Sequence, residues 1–103
     1  MVRSVVLCFL AGVVGANGIP HFVSGTVSRE YPNVTGNSPA RNVIGGWAAL
    51  VIACLLAHWA DPGRHVAAAF AAGALGVLGM ALFHASGGAF WLNTRYGRVN
   101  PVR

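Results

Sequence analysis

Three long runs without Asp, Glu, Lys or Arg constrain this chain more than any other feature. They cover residues 4–28, 42–60 and 65–94 and contain 25, 19 and 30 positions. A helix needs roughly 20 apolar residues to cross the hydrocarbon of a bilayer. The chain also has 55% hydrophobic and only 9% charged residues. These features predict an all-α integral membrane protein that crosses the lipid bilayer three times.

The spans and their connections follow from the positions of the charges. The three expected spans cover about residues 5–23, 42–59 and 66–92. They form one unit over residues 1–103, with a polar loop at 28–41. Only residues 61–64 separate the second span from the third, which predicts that these two spans form a tight antiparallel hairpin. We expect Asn42 to cap the second span and Asp61 to cap the third.

The charges also predict the orientation. The net charge of +5 comes from seven arginines against Glu30 and Asp61. Since the arginines flank apolar runs, we interpret them as topology signals and contacts to lipid headgroups, and we expect no nucleic-acid partner. Five of them lie in the 28–41 loop and the C-terminal tail: Arg29, Arg41, Arg95, Arg98 and Arg103. The positive-inside rule then places the N-terminus outside and the C-terminus in the cytoplasm. The alternative is that residues 1–16 are a cleaved signal peptide.

Small residues at regular spacing predict how the helices pack. Helices in lipid associate by close backbone contact, so glycine and alanine mark the contact faces. The expected packing positions are Gly12, Gly15 and Gly18 in the first span, Gly45, Ala49, Ala53 and Ala57 in the second, and Gly73, Gly76 and Gly79 in the third. Three short helices bury little of such a surface, so we expect a homo-oligomer or a larger membrane partner. Alternatively, the alanines reflect genome composition.

A few polar residues fall near the inner end of the spans. They are Asn17, Pro20 and His21 in the first span, Asn42 in the second, and His84 and Ser86 late in the third. Pro20 removes a backbone donor, so the helix should kink or end there and leave the carbonyl of Ala16 without its usual partner. The cluster either satisfies this carbonyl or lines a route for a substrate, ion or proton.

Catalytic and metal motifs are weak in this sequence. Glu30 and Asp61 are expected on opposite sides of the membrane, where they cannot act as an acid and base pair. His21 and His84 could bind a metal or haem only if they face each other at one depth, and no third ligand accompanies them. We therefore expect no enzymatic activity, no metal and no cofactor.

Two segments resemble a group of small bacterial inner-membrane proteins of unknown function. The first reads Asn17-Gly-Ile-Pro-His-Phe-Val-Ser-Gly25, and the second reads Asn37-Ser-Pro-Ala-Arg-Asn-Val-Ile-Gly-Gly-Trp47. The group pairs an Asn-x-x-Pro-His-Phe segment with a Ser-Pro-x-x-Asn-Val segment that opens the next span. The resemblance implies a bacterial origin and the cytoplasmic (inner) membrane, without an activity.

Two functional hypotheses follow. The first is a non-enzymatic membrane protein that acts by helix association, as a homo-oligomer or as an accessory subunit of a membrane complex. The second is a small transporter or channel subunit with a polar path around His21 and His84.

Overall fold

The computed structural model describes residues 1–102 and contains four helices and no strand among them. The helices are α1 (Val2–Thr26), α2 (Pro39–Trp59), α3 (Val66–Ala85) and α4 (Gly88–Arg95). The first three are long and apolar enough to cross a membrane. The molecule extends 44 Å along its longest axis, which matches a bilayer of about 40–45 Å with its headgroup regions. The predicted all-α membrane architecture is confirmed. Arg103, one of the arginines assigned to the cytoplasmic side, lies outside the described residues.

Helix α1 lies between the other two long helices. It packs against both α2 and α3, whereas α2 and α3 contact each other only slightly. The short connection predicted between them is present, with a 3₁₀ turn at Pro62–Arg64. The expected hairpin packing is therefore replaced by packing of both helices on α1. The reason is that α1 carries small residues on two faces, and each face accepts a different neighbour.

The interior of the bundle is made of small side chains. The buried apolar residues are Cys8, Ala16, Ala60, Ala69, Ala72 and Ala89, while many large residues, such as Phe70 and Leu75, point outward. This distribution suits a bilayer, since lipid tails solvate large apolar side chains and helices gain contact energy where their backbones approach closely.

Glycines set the distance between α1 and α3. A Cβ atom at Gly12 would collide with the carbonyl of Gly73, and one at Gly76 would collide with the carbonyl of Phe9. A Cβ at Gly73 would meet only ordinary contact, 3.6 Å from the Cys8 oxygen. Gly79, by contrast, has nothing within 4 Å of the position of its Cβ. Gly79 therefore lies outside the contact with α1, and its role in helix packing stays a prediction.

The contact between α1 and α2 uses most of the predicted small residues but replaces Gly45 by its neighbour Gly46. A Cβ at Gly18 would lie 2.8 Å from the carbonyl oxygen of Gly46, and one at Gly15 would lie 3.3 Å from Cβ of Ala53. Ala49 also contacts the Gly18 position. Gly46 is buried, while the predicted Gly45 is exposed to the surroundings and lies near the side chain of Asn33. A four-residue repeat of small residues could not distinguish these neighbours.

Several predicted helix ends also differ. Pro20 lies inside α1, which continues to Thr26 and does not end at the proline. The N-cap of α2 is Ser38, whose side chain accepts a hydrogen bond from the Arg41 backbone N–H, so Asn42 lies within the helix. Asp61 adopts a left-handed backbone conformation and forms no side-chain cap. Ser38 followed by Pro39 is the stronger start signal, because proline suits the first helical position.

The third span is not continuous over residues 66–92 as expected. Helix α3 ends at Ala85, and Gly87 has a φ of 87°, which favours glycine because other residues are strained there. Helix α4 then begins at Gly88, where a Cβ would collide with the ring of Phe83. Two adjacent glycines thus turn the chain and allow α4 to lie close to the end of α3.

Candidate functional site

Two histidines from different helices meet at one end of the bundle. His21 is on α1 and His84 is on α3. Their ring centroids are 5.6 Å apart and the rings are nearly perpendicular, with an angle of 83°. Both side chains are partly buried. The sequence predicted that these residues fall at the same end of the spans, and the structure brings them together.

Asn42 joins His21 to the loop that precedes α2. Its side-chain nitrogen Nδ2 donates to the backbone carbonyls of Tyr31, Asn37 and Ser38, at 2.9, 3.1 and 3.1 Å. Because the amide nitrogen is oriented toward carbonyls, Oδ1 is the atom that faces His21, 2.6 Å from Nδ1. Nδ1 of His21 must then donate, so Nε2 of a neutral ring carries a lone pair. Asn42 is fully buried, with an exposed fraction of 0%.

His84 is held between the loop and α1. Its Nδ1 lies 3.0 Å from the hydroxyl of Tyr31, and its Nε2 lies 2.8 Å from Oδ1 of Asn17. With a neutral ring, the Tyr31 hydroxyl donates to Nδ1 and the Nε2 hydrogen is donated to Asn17. Tyr31 also contacts His21 edge to face, with 5.1 Å between ring centroids. The sequence pattern gave no indication of this role of Tyr31, which lies in the polar loop.

A second group of amides connects the loop to α4. Asn93 has an exposed fraction of only 1%, and its Nδ2 donates to Oδ1 of Asn37 at 2.9 Å. Nδ2 of Asn37 in turn donates to the carbonyl of Val99 at 2.5 Å. These bonds fix α4 and the following segment over the end of the bundle. Sequence reasoning missed Asn93 because it predicted a third span that runs to about residue 92 without the turn at Gly87.

Two predicted site residues take no part in the cluster. Ser86 is exposed and its hydroxyl donates to the carbonyl of Phe83, because the chain turns after Ala85. Pro20 lies in α1, but the side chains of its neighbours Asn17 and His21 are bonded to His84 and Asn42. The hypothesis that the cluster serves the Ala16 carbonyl is therefore not supported by these bonds.

A pocket of about 160 Å³ lies beside the two histidines. Its polar walls are Asn17, His21, Asn33, His84 and Asn93, and its apolar walls come from Pro32, Val34, Phe83, Ala89 and Leu92. A buried water needs a volume of roughly 10–15 Å³ and two to four polar partners, so the pocket has room for several waters or one small solute. The imidazoles and amides of its walls offer both donors and acceptors.

The cluster has the composition of a hydrogen-bonding site. Within residues 1–102, no group of three or more His, Cys, Asp or Glu side chains is placed to hold a metal ion. The other two histidines, His58 and His65, lie at the opposite end, beside the turn that joins α2 to α3. The arrangement can hold and orient a polar solute or exchange a proton.

Comparison with known proteins gives no further assignment. No protein family, curated protein or solved structure matches this chain. The resemblance to small bacterial inner-membrane proteins stays a prediction.

Proposed function

We propose that this protein is a non-enzymatic subunit of a membrane transporter or channel, and that the pocket beside His21 and His84 receives a proton or a small hydrogen-bonding solute. The observation that carries the proposal is the position of two histidines from different helices on the wall of one pocket. Ionisable side chains are costly within a membrane, and those that face the protein interior usually belong to ion, proton or substrate routes.

The pocket chemistry favours a solute that both donates and accepts hydrogen bonds. The orientation of Asn42 requires that Nδ1 of His21 donates a hydrogen bond. Nε2 of His21 is therefore an acceptor when the ring is neutral. The carboxamides of Asn17 and Asn93 are also on the pocket wall. Such neutral polar groups suit a water-sized solute or a proton carried by imidazole.

A complete path requires helices from outside this chain. Between Ser4 and Asn17, α1 carries only apolar residues and glycine. In this region the backbones of α1 and α3 approach so closely that a Cβ at Gly12 or Gly76 would collide with a carbonyl. Within residues 1–102 the contact between α1 and α3 therefore leaves no polar route from the pocket to the other end of the bundle, and the proposed role is that of a subunit.

The proposed location is the cytoplasmic membrane of a bacterium, with the N-terminus outside. The hydrogen bonds of the cluster hold the end of α1, the start of α2 and the end of α3 together. Arg29 and Arg41 consequently share one end of the molecule with Arg95, while Arg64 is at the other. The positive-inside rule favours the cytoplasm for the arginine-rich end.

The test is proton flux in membrane vesicles from cells of the source organism that express His21→Ala, His84→Ala or the wild-type chain. We expect each substitution to change the pH dependence of the flux while the amount of inserted protein and its co-purifying partners stay the same. His58→Ala is the matched control, because this histidine lies at the opposite end of α2.

A flux that is indifferent to both substitutions would contradict the proposal. Loss of the partners in the histidine variants would also contradict it, since the cluster would then serve assembly.

A second candidate function is association through α3, because small residues remain exposed there after the bundle is packed. Ala67, Ala71 and Gly79 all lie on the outside of this helix. Exposed small residues allow close approach of another helix. Under this proposal Ala71→Leu yields a smaller particle in native-detergent sizing, and an unchanged size argues against a contact at this face.

A further inference from the structure

The end of the bundle opposite the histidines carries a polar recess of about 300 Å³. It is lined by Met1, Arg3, Ser4, Asp61, Arg64 and His65. Arg3 comes from the first turn of α1, whereas Arg64 and Asp61 come from the turn between α2 and α3. The side chains of all three charged residues are exposed. Two guanidinium groups and one carboxylate thus surround the same recess.

An apolar groove begins at the same turn. It has a volume of about 620 Å³ and is lined by Pro62 and Gly63 of the turn, by Cys8 and Ala11 of α1, by Ala57 of α2, and by α3 residues between Val66 and Val77. At a rise of 1.5 Å per residue, the part of α3 from Val66 to Val77 is about 16 Å long. One leaflet contributes about half of the roughly 30 Å of bilayer hydrocarbon. The groove therefore has the length of one leaflet.

We propose that the recess and the groove together bind one phospholipid whose headgroup carries a primary ammonium, as phosphatidylethanolamine does. The phosphate lies between Arg3 and Arg64, the ammonium lies at Asp61, and one acyl chain occupies the groove. This inference does not depend on the proposed transport role, which concerns the opposite end of the molecule.

The charges of the recess select this headgroup. Arginine presents a planar fork of N–H donors that matches the oxygens of a phosphate. The carboxylate of Asp61 needs a cationic donor, which a primary ammonium supplies. The choline headgroup carries no N–H on its nitrogen, and the glycerol headgroup carries no positive charge. Neither headgroup therefore brings Asp61 an N–H donor that carries a positive charge.

The groove distinguishes a bound lipid from the surrounding ones. Its walls include small residues on each of the three long helices, namely Ala11, Ala57, Gly73 and Ala74, so an acyl chain meets surfaces on several sides. Burial of apolar area therefore adds to the headgroup contacts at this position.

The experiment reconstitutes the full chain in vesicles of equal parts phosphatidylethanolamine, phosphatidylglycerol and phosphatidylcholine with identical acyl chains. The protein is then extracted in mild detergent, and the retained lipid is identified by native mass spectrometry. We expect one phosphatidylethanolamine per chain, retained about tenfold over each competitor, which is the ratio that one charge-assisted hydrogen bond provides.

Substitutions test each part of the site separately. Arg3→Gln combined with Arg64→Gln lowers retention of all three lipids, whereas Arg95→Gln at the other end leaves retention unchanged. Asp61→Asn removes the preference over phosphatidylcholine. Ala74→Trp fills the groove and lowers retention, while the adjacent Leu75→Trp does not, because Leu75 is 62% exposed and lies outside the groove.

Equal retention of the three lipids by the wild-type protein would overturn the proposal, and so would a preference for phosphatidylglycerol. Retention that survives both the double arginine substitution and Ala74→Trp would overturn it as well. Since the substituted side chains are exposed, circular dichroism should show unchanged helix content in every variant.

Discussion

The side chains of His21 and Asn42 are joined by a hydrogen bond of 2.6 Å between Nδ1 and Oδ1, which connects α1 to the first turn of α2. The same Asn42 amide donates to three carbonyls in the segment from Tyr31 to Ser38. One buried carboxamide thus holds two helices and the loop that connects them. A hydrophobic side chain of similar size could not replace it, because Nδ1 of His21 would lose the buried oxygen that accepts its hydrogen bond.

Asn42→Ala should lower the free energy of unfolding by about 2–3 kcal/mol, because it removes the acceptor of the His21 imidazole and the amide bonds that tie the loop to α2. The measurement is a denaturation titration in mixed micelles, followed by circular dichroism. Thr94→Ala serves as the control, since Thr94 is exposed and its hydroxyl donates only to the carbonyl one turn earlier and accepts from Asn100. A loss below that of the control would show that Asn42 does not join the helices in the folded protein.

The contact between Tyr31 and His84 should appear as a coupling energy. In a double-mutant cycle of Tyr31→Phe and His84→Gln, we expect the two effects on unfolding free energy to be non-additive by about 1 kcal/mol. The Tyr31→Phe substitution keeps the ring and removes the hydroxyl that lies 3.0 Å from Nδ1. As a control, Tyr96→Phe combined with His84→Gln should be additive, because Tyr96 is exposed beyond the end of α4. Additivity of the first pair would contradict the bond.

Substitution of two glycines of α3 should show which face of this helix packs on α1. Gly76→Ala should cost about 1–3 kcal/mol, as overpacking does in a close contact, because the added methyl group collides with the carbonyl of Phe9. Gly79→Ala, three residues later, adds a methyl group in open space and should leave stability unchanged or raise it by up to about 1 kcal/mol. Equal effects of the two substitutions in the same unfolding assay would show that α3 does not pack on α1 as described.

The far end of the bundle depends on Ser4. Its hydroxyl donates to the carbonyl of Ala60 at 2.6 Å, and both residues are buried. Ser4→Ala should lower stability by about 1 kcal/mol, the usual worth of one such bond. Ser86→Ala provides the comparison, because the Ser86 bond is local and exposed. Hydrogen exchange of the residues near Ala60 should increase in the first variant only, and an increase in neither would exclude a contribution of this bond.

Substitution of Gly87 tests the turn that separates α3 from α4. Gly87→Ala places a side chain on a backbone with a φ of 87° and should cost about 1 kcal/mol. Gly63→Ala is the control, since nothing lies within 4 Å of its Cβ position. Unfolding titrations that show no difference between the two variants would contradict the left-handed turn.

Sequence reasoning located four members of the histidine cluster, Asn17, His21, Asn42 and His84, because a polar residue inside an apolar run is conspicuous. Tyr31 and Asn93 were missed for different reasons. Tyr31 lies in a polar loop, where a tyrosine carries no signal of burial. Asn93 lies beyond Gly87, and its burial depends on the turn that places α4 over the bundle end.

The sequence by itself determined the membrane-spanning architecture, since the length and apolarity of each run depend only on local composition. It also showed that close helix contacts would involve glycine and alanine. The tertiary structure decided that α1 lies between α2 and α3, that Gly46 and not Gly45 faces α1, and that Gly79 faces outward. Each of these helices carries small residues on several sides, so the spacing of these residues does not determine which side contacts a neighbouring helix. The contact faces are determined by how closely the three helix backbones can approach one another.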